Sequence, residues 1–401
     1  MTSSLPMLLA VMLAHDLAGT LDVSDTARIY AREATIGGDV AVDIENTPGL
    51  DLALDWPTTS LALEYAPHLY WSEVVGPDPS PTLLLHTGGA RLSTRDERLS
   101  ITIAQTFAVG DQSFARLSSE RRPLESDAPV GVMSSPELEL LPGPTVLRVT
   151  EAETSASLRY DWSQRVSTEL RPSLGVSGGA TTASQTVLPR QRTAGIDASL
   201  DVLASRSDTL NTTVGVADAS VSNGYDHLLV SWVETWSRSF ALASGAALGA
   251  GVAFQETIDP ADASSTQWRP IGVARAWHTL YARAMQVHLR SELGHQPRLN
   301  VLTGALQGQL YASAEAELAA GDTSLALTLG AAQTLPRDAP DAAQSLTADL
   351  VLEQALLDWL SAELGGQLTW QSLGDSNVLA ASDSRWLLFA GARAELPSVR
   401  F

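Results

Sequence analysis

GLDLALDWPTTSLALEYAPHLYW, residues 49–71, places Leu50, Leu52, Leu54 and Trp56 on every second position, breaks at Pro57 and two threonines, and resumes the alternation at Leu61, Leu63, Tyr65, Leu69 and Trp71. Two strands joined by a tight turn give this pattern, because successive strand side chains point to opposite faces. The other face carries Asp51, Asp55, Glu64 and His68. Whether those groups meet bulk water outside a sandwich or water inside a pore decides the fold.

The same alternation recurs almost to the end of the chain, for instance in LSITIAQTFAV (99–109), SLRYDWS (157–163), GIDASLDVLA (195–204), MQVHLRSEL (285–293), SLTADLVLEQAL (345–356) and ELGGQLTWQ (363–371). Helical periodicity is almost missing after residue 25. Short turns are expected near 56–60, 94–98, 161–164, 205–208, 236–239, 280–284, 319–323 and 357–360. Between them lie mostly longer polar links, at 72–81, 110–145, 177–190, 256–267, 335–342 and 373–384, with two short ones around 222–226 and near Pro297. A sandwich has no reason to sort its turns by length, whereas an outer-membrane barrel has short periplasmic turns, longer outer loops and an even strand count. Trp56, Trp162, Trp236, Tyr281 and Trp359 lie at or beside the short turns, where an interfacial aromatic girdle belongs. The expected fold is therefore all-β: a transmembrane antiparallel up-and-down β-barrel of about 18 strands (16–18). The strand over 28–44 is the weakest of them, and 271–281 is ambiguous because Arg275 shares its face with Val273 and Trp277.

Composition agrees. Of 401 residues, 44% are hydrophobic, and no stretch approaches the length of a spanning helix. There is no cysteine, so a disulfide framework and a thiolate metal site are both excluded. The 25 basic residues are all arginine; against 46 acidic residues they leave a net charge of -21, which argues against a nucleic-acid partner and for cations or neutral solutes. At the start of the chain an apolar core from Leu5 to Ala14 precedes small residues near Ala14 and Ala18 to Gly19. This reads as a signal peptide over 1–22, leaving 23–401 as one barrel domain. The match is incomplete, since no basic residue precedes the core and neither cleavage site is A-x-A, so a short buried helix or a misplaced start codon stays open as the alternative.

Opposite the leucines, strand after strand carries more charge than a filled interior could neutralise. The candidate pore-lining residues are Asp51, Asp55, Glu64, Tyr70, Arg91, Arg159, Asp161, Glu169, Arg171, Asp197, Asp201, Arg290, Glu292, Gln307, Gln309, Tyr311, Asp349, Glu353, Glu363 and Gln367. A barrel of this size is wide enough to keep them hydrated, whereas a basic charge on the lipid side costs about 2–4 kcal/mol at mid-depth. The 110–145 link, with Ser135 and Pro136 placed to start a short helix, is either an outer loop or an inward constriction bringing Arg116, Arg121 and Arg122 to the acidic wall.

Over nearly its whole length after residue 25 the chain resembles bacterial outer-membrane β-barrels. It ends in Phe401, as many of them do, although Pro397 interrupts the alternation of Trp386, Leu388, Ala390, Ala392, Ala394 and Leu396 and shifts Phe401 to the other parity. More narrowly, TPGLDLALDWPTTSLALEYAPHLYW (47–71) resembles the opening hairpin of barrels that partner periplasmic polysaccharide-export proteins. That resemblance implies an outer-membrane location, contact with outer-membrane lipid and a periplasmic polysaccharide-export protein, and a water-filled pore exporting a secreted polysaccharide. A diffusion porin for small cationic or neutral solutes is the alternative, and a surface receptor or adhesin barrel a third.

No catalytic or cofactor constellation stands out. His288 and Ser291, three apart on one strand, point to opposite faces and do not make an outer-membrane phospholipase pair. The histidines are scattered without zinc-ligand spacing. The glycines of GAALGAGVAF (245–254) sit in a strand and not before a helix, and the Asn211 sequon also falls in a strand. Asp259 with Asp262, and Asp338 with Asp341, read as solvated loop charge. The chain is expected to be neither an enzyme nor a metalloprotein.

Overall fold

The structure, a computed structural model, describes residues 18–33, 40–72, 82–113, 146–241, 243–335, 343–373 and 383–400. The alternating stretches form eighteen long strands: β1 (Ala18–Glu33), β2 (Val40–Asp55), β3 (Thr59–Ser72), β4 (Thr82–Arg95), β5 (Leu99–Ser113), β6 (Val146–Ser163), β7 (Val166–Ser177), β8 (Gln191–Leu203), β9 (Asp208–Val221), β10 (Asp226–Ala241), β11 (Ser244–Ile258), β12 (Ser264–Ala282), β13 (Met285–Leu299), β14 (Leu306–Ala320), β15 (Thr323–Leu335), β16 (Ala343–Leu357), β17 (Leu360–Leu373) and β18 (Asp383–Glu395). Each pairs antiparallel with the next, and β1 pairs with both β2 and β18, so the sheet closes into a barrel. Closure satisfies every strand edge, as a sheet inside lipid requires. The only described helix, α1 (Thr182–Gln185), is a single turn capped by Thr181.

Turns of two to four residues, such as 164–165, 283–284, 321–322 and 358–359, close one end of the barrel, where β1 also starts and β18 also finishes. The links at the other end are mostly longer. Outward-facing leucines, valines and alanines cover the band between. Trp162, Phe240, Tyr281 and Trp359 stand exposed towards the short-turn end, and Trp71, Trp232, Trp268 and Trp370 towards the other. Two aromatic girdles around an apolar band are the outer surface of a membrane barrel.

Three local expectations change. WSRS (236–239) is not a turn: β10 runs on to Ala241, with Arg238 laddered to Ala246 and to Asp208. Its polar residues resemble a turn because the strand leaves the apolar band before it ends. In β12, Val273 and Arg275 pair with Gly249 and Ala247 on the inner face, so Arg275 points inward and Val273 is simply an apolar inner residue. At the C-terminus the alternation slips by one across 396–398 and resumes in β19 (Val399–Arg400), where Leu21 pairs with Val399. The slip turns Val399 outward, which reconciles Pro397 with the expected parity; position 401 lies outside the described residues. β1 begins at Ala18, within the stretch read as a leader, and residues 1–17 lie outside the described residues.

Candidate functional site: the lumen

Alternation sends every second side chain of each strand inward. Asp51 and Asp55 on β2, Glu64 and Tyr70 on β3, Arg91 on β4, and Arg159 and Asp161 on β6 are on the face opposite the exposed Leu50, Leu63, Leu92 and Leu158. The same relation holds for Glu169 and Arg171 on β7 against Leu170, for Asp197 and Asp201 on β8 against Leu200, and for Arg290 and Glu292 on β13 against Leu289. It holds again for Gln307, Gln309 and Tyr311 on β14 against Leu310, Asp349 and Glu353 on β16 against Leu350, and Glu363 and Gln367 on β17 against Leu364. Arg116, Arg121 and Arg122 lie outside the described residues.

The ladder brings several of these together. Asp22, Asp51 and Glu64 stand side by side across β1, β2 and β3, and Glu353 faces Glu363 across β16 and β17. Adjacent like charges are tolerable only where water or a counter-charge reaches them. Arg28 supplies one, donating to Glu363 at 2.8 Å. Arg171 holds Glu169 with both Nε and Nη2, at 2.5 and 2.7 Å, and Arg159 lies 3.2 Å from Asp161 and 3.8 Å from Asp201. Arg275 donates to Glu292 at 2.7 Å, and Tyr311 donates to the same carboxylate at 2.6 Å beneath the Arg298 guanidinium. Tyr311 is only 3% exposed and its hydroxyl is engaged, so it acts within the wall. Tyr70 packs beside Leu85, Leu147 and Val149, onto which the link after β7 folds Val187 and Leu188.

Among the described residues, a buried polar group that the sequence reading does not single out lies on the same wall. On the inner face of β1 to β3, Asp43 accepts from Arg32 Nε at 2.6 Å and from Ser72 Oγ at 2.7 Å. Next to it, Glu45 accepts from Tyr30 and lies 3.0 Å from His68 Nδ1. Arg32, Asp43, Glu45, His68 and Ser72 are all buried. The signal was present: counting back in twos from Asp51 leads to Glu45 and Asp43. Ala41 and a break around 34–39 weaken the pattern there. Among the described residues no group of three or more His, Cys, Asp or Glu is placed to hold a metal ion.

A family model for EpsX, the exopolysaccharide export family, matches residues 14–283. The chain belongs to that family. Direct comparison with curated protein sequences finds no match. Among solved structures, the FrpB iron transporter of Neisseria meningitidis (F3-3 variant) is similar at a TM-score of 0.51 and 8% identity; the match covers 90% of this EpsX-family barrel and 64% of the transporter, less than two thirds of its length. OpdK of Pseudomonas aeruginosa matches at 0.47 and 9% identity over 95% of this chain and 99% of that one, and OccAB2 of Acinetobacter baumannii at 0.47 and 9% over 96% and 98%. At such identities the likeness is one of fold. Family and fold together make this EpsX-family chain an outer-membrane β-barrel.

Proposed function

We propose that this barrel is the outer-membrane exit of an exopolysaccharide secretion system, with the polymer passing through its lumen. The observation that carries the reading is the family match over 14–283 on a chain that closes into an eighteen-stranded barrel with its polar face turned inward. A flexible sugar chain needs a wide, wet conduit and weak contacts at many points, with no tight binding step. Carboxylates and amides such as Asp51, Glu64, Asp197, Gln309, Glu353 and Gln367, spread around the wall, supply hydroxyl-binding groups of that kind. The short-turn end, where both described termini emerge, is the side from which a periplasmic polysaccharide-export protein would dock. The protein's part is passage, with no chemical step.

Removing the gene tests this directly. Surface polysaccharide should disappear while the precursors of its synthesis persist inside the cell. A deletion strain with normal surface polysaccharide sinks the export reading. The excess of acid in the lumen would then favour a diffusion porin for small cationic or neutral solutes, and uptake assays on the same strain would report it.

A further inference from the structure

The tip of the β13–β14 hairpin departs from the faces its own strands dictate. Leu299 and Leu306 pair across the ladder and are in phase with Leu293 and Leu310, which are exposed on the outer surface. Yet Leu306 is buried in a cluster with Ala219, Leu229, Val233, Ala253 and Ile271, and Leu299 packs against the same group. Leu229 and Val233 alternate with the exposed Trp232 and so belong to the inner wall. Outward positions of one hairpin can rest on the inner wall of its neighbours only if the hairpin tip bends across the lumen.

The connecting loop, 300–305, runs the same way. Asn223 donates to the Thr303 carbonyl at 2.7 Å, His227 Nε2 to the Gly304 carbonyl at 2.7 Å, and Gln255 to the Leu306 carbonyl at 3.1 Å. Gln191 of β8, five places from β13 around the barrel, reaches the Val301 carbonyl at 3.5 Å. Gly304 makes the close approach possible: its φ is +73°, and a Cβ there would meet Val221 Cγ1 at 2.8 Å. Asn300 holds the loop's shape by accepting from the Leu302 and Thr303 amides at 3.0 and 3.2 Å.

We propose that this tip is an inward strap that sets the bore of the lumen, seated on an apolar foot at Leu299 and Leu306 and latched by His227. The proposal rests on the reading of the lumen as a conduit. Apolar burial on the foot and buried hydrogen bonds at the latch hold a backbone segment that would otherwise be hydrated in an open channel.

The test uses the full-length protein in planar bilayers. Replacing residues 298–307 by a two-residue Asn-Gly turn should raise single-channel conductance by about twofold or more, and should admit larger polyethylene glycols, as a wider bore requires. Unchanged conductance and an unchanged size cut-off would overturn the proposal. Because the chain has no cysteine, a Leu229→Cys, Leu299→Cys pair reports the strap's position without trimming it. Oxidation or a short bis-maleimide should join the two in the folded barrel and leave conductance as it was. A folded, conducting barrel in which the pair never joins overturns the strap alone. A wild-type barrel that passes no ions at all overturns the conduit reading and the bore with it, even where the cysteines join.

Discussion

At the scale of single residues, the inner wall of β1 to β3 concentrates buried charge. Arg32 and Asp43 are 2% and 0% exposed, so removing one takes the ion-pair partner from a buried charge whose bond with Ser72 is neutral. Breaking a buried pair from one side costs about 3–5 kcal/mol, whereas replacing both partners by apolar side chains is often neutral. Arg32→Met should therefore lower the temperature at which the barrel loses its heat-modifiable gel mobility, and Arg32→Met with Asp43→Leu should recover most of the loss. A single variant as stable as wild type would show that the pair is dispensable. Glu234 poses the opposite problem. It ladders between Thr212 and Ala250 beside the exposed Trp232, on the lipid side, and accepts from Thr212 Oγ1 at 2.8 Å and Trp232 Nε1 at 3.1 Å. An outward carboxylate in an apolar band is unfavourable by less than the figure for a basic residue, so Glu234→Leu should raise stability in urea titrations in lipid by about 1 kcal/mol. A drop instead would mean that another protein surface meets the carboxylate there.

Strands and hairpins divide into what periodicity records and what it does not. Period two states which side chains share a face, and that is enough to read the strand number and most of the turn sorting, because from β2 onward the positions opposite the polar face are filled mainly by Leu, Val and Ala. It says nothing about a hairpin that bends. Leu299 and Leu306 keep the outward phase of their strands while resting on the inner wall, so the strap is invisible in the pattern. Nor does it record a change of register: the slip across 396–398 lets Val399 resume the outward face against Leu21 although the alternation appears broken at Pro397. The β1 strand is the hardest to read, since Arg28, Tyr30 and Arg32 alternate with small or short apolar residues, and the weak run over 28–44 spans the end of β1 and the start of β2. The slip is itself testable. Inserting one alanine after Pro397 shifts β19 by one position and sets Val399 opposite Thr20 on the inner face, and the folded, heat-modifiable barrel recovered from outer membranes should fall. Normal recovery would show that the register after β18 carries no weight in folding.

For the molecule as a whole, the decisive quantity is the field inside the barrel. The chain carries a net charge of -21, and carboxylates stand as direct neighbours at Asp22, Asp51 and Glu64 and again at Glu353 and Glu363, while Arg171, Arg275, Arg28 and Arg32 are already paired with Glu169, Glu292, Glu363 and Asp43. A wall of that sign concentrates cations and leaves neutral polymers indifferent, but opposes a polyanion. Under a potassium chloride gradient across a planar bilayer, the reversal potential should take the sign of cation selectivity. Screening sets the conditions: the Debye length is about 30 Å at 0.01 M salt and about 3 Å at 1 M, so selectivity should be strong in dilute salt and fade in concentrated salt. Neutralising the row with Asp22→Asn, Asp51→Asn and Glu64→Gln should move the reversal potential towards zero without changing the size cut-off that the strap controls. Anion selectivity in the wild type would sink the inward assignment of these carboxylates, and a triple variant as cation-selective as wild type would move the selecting field to another level of the wall.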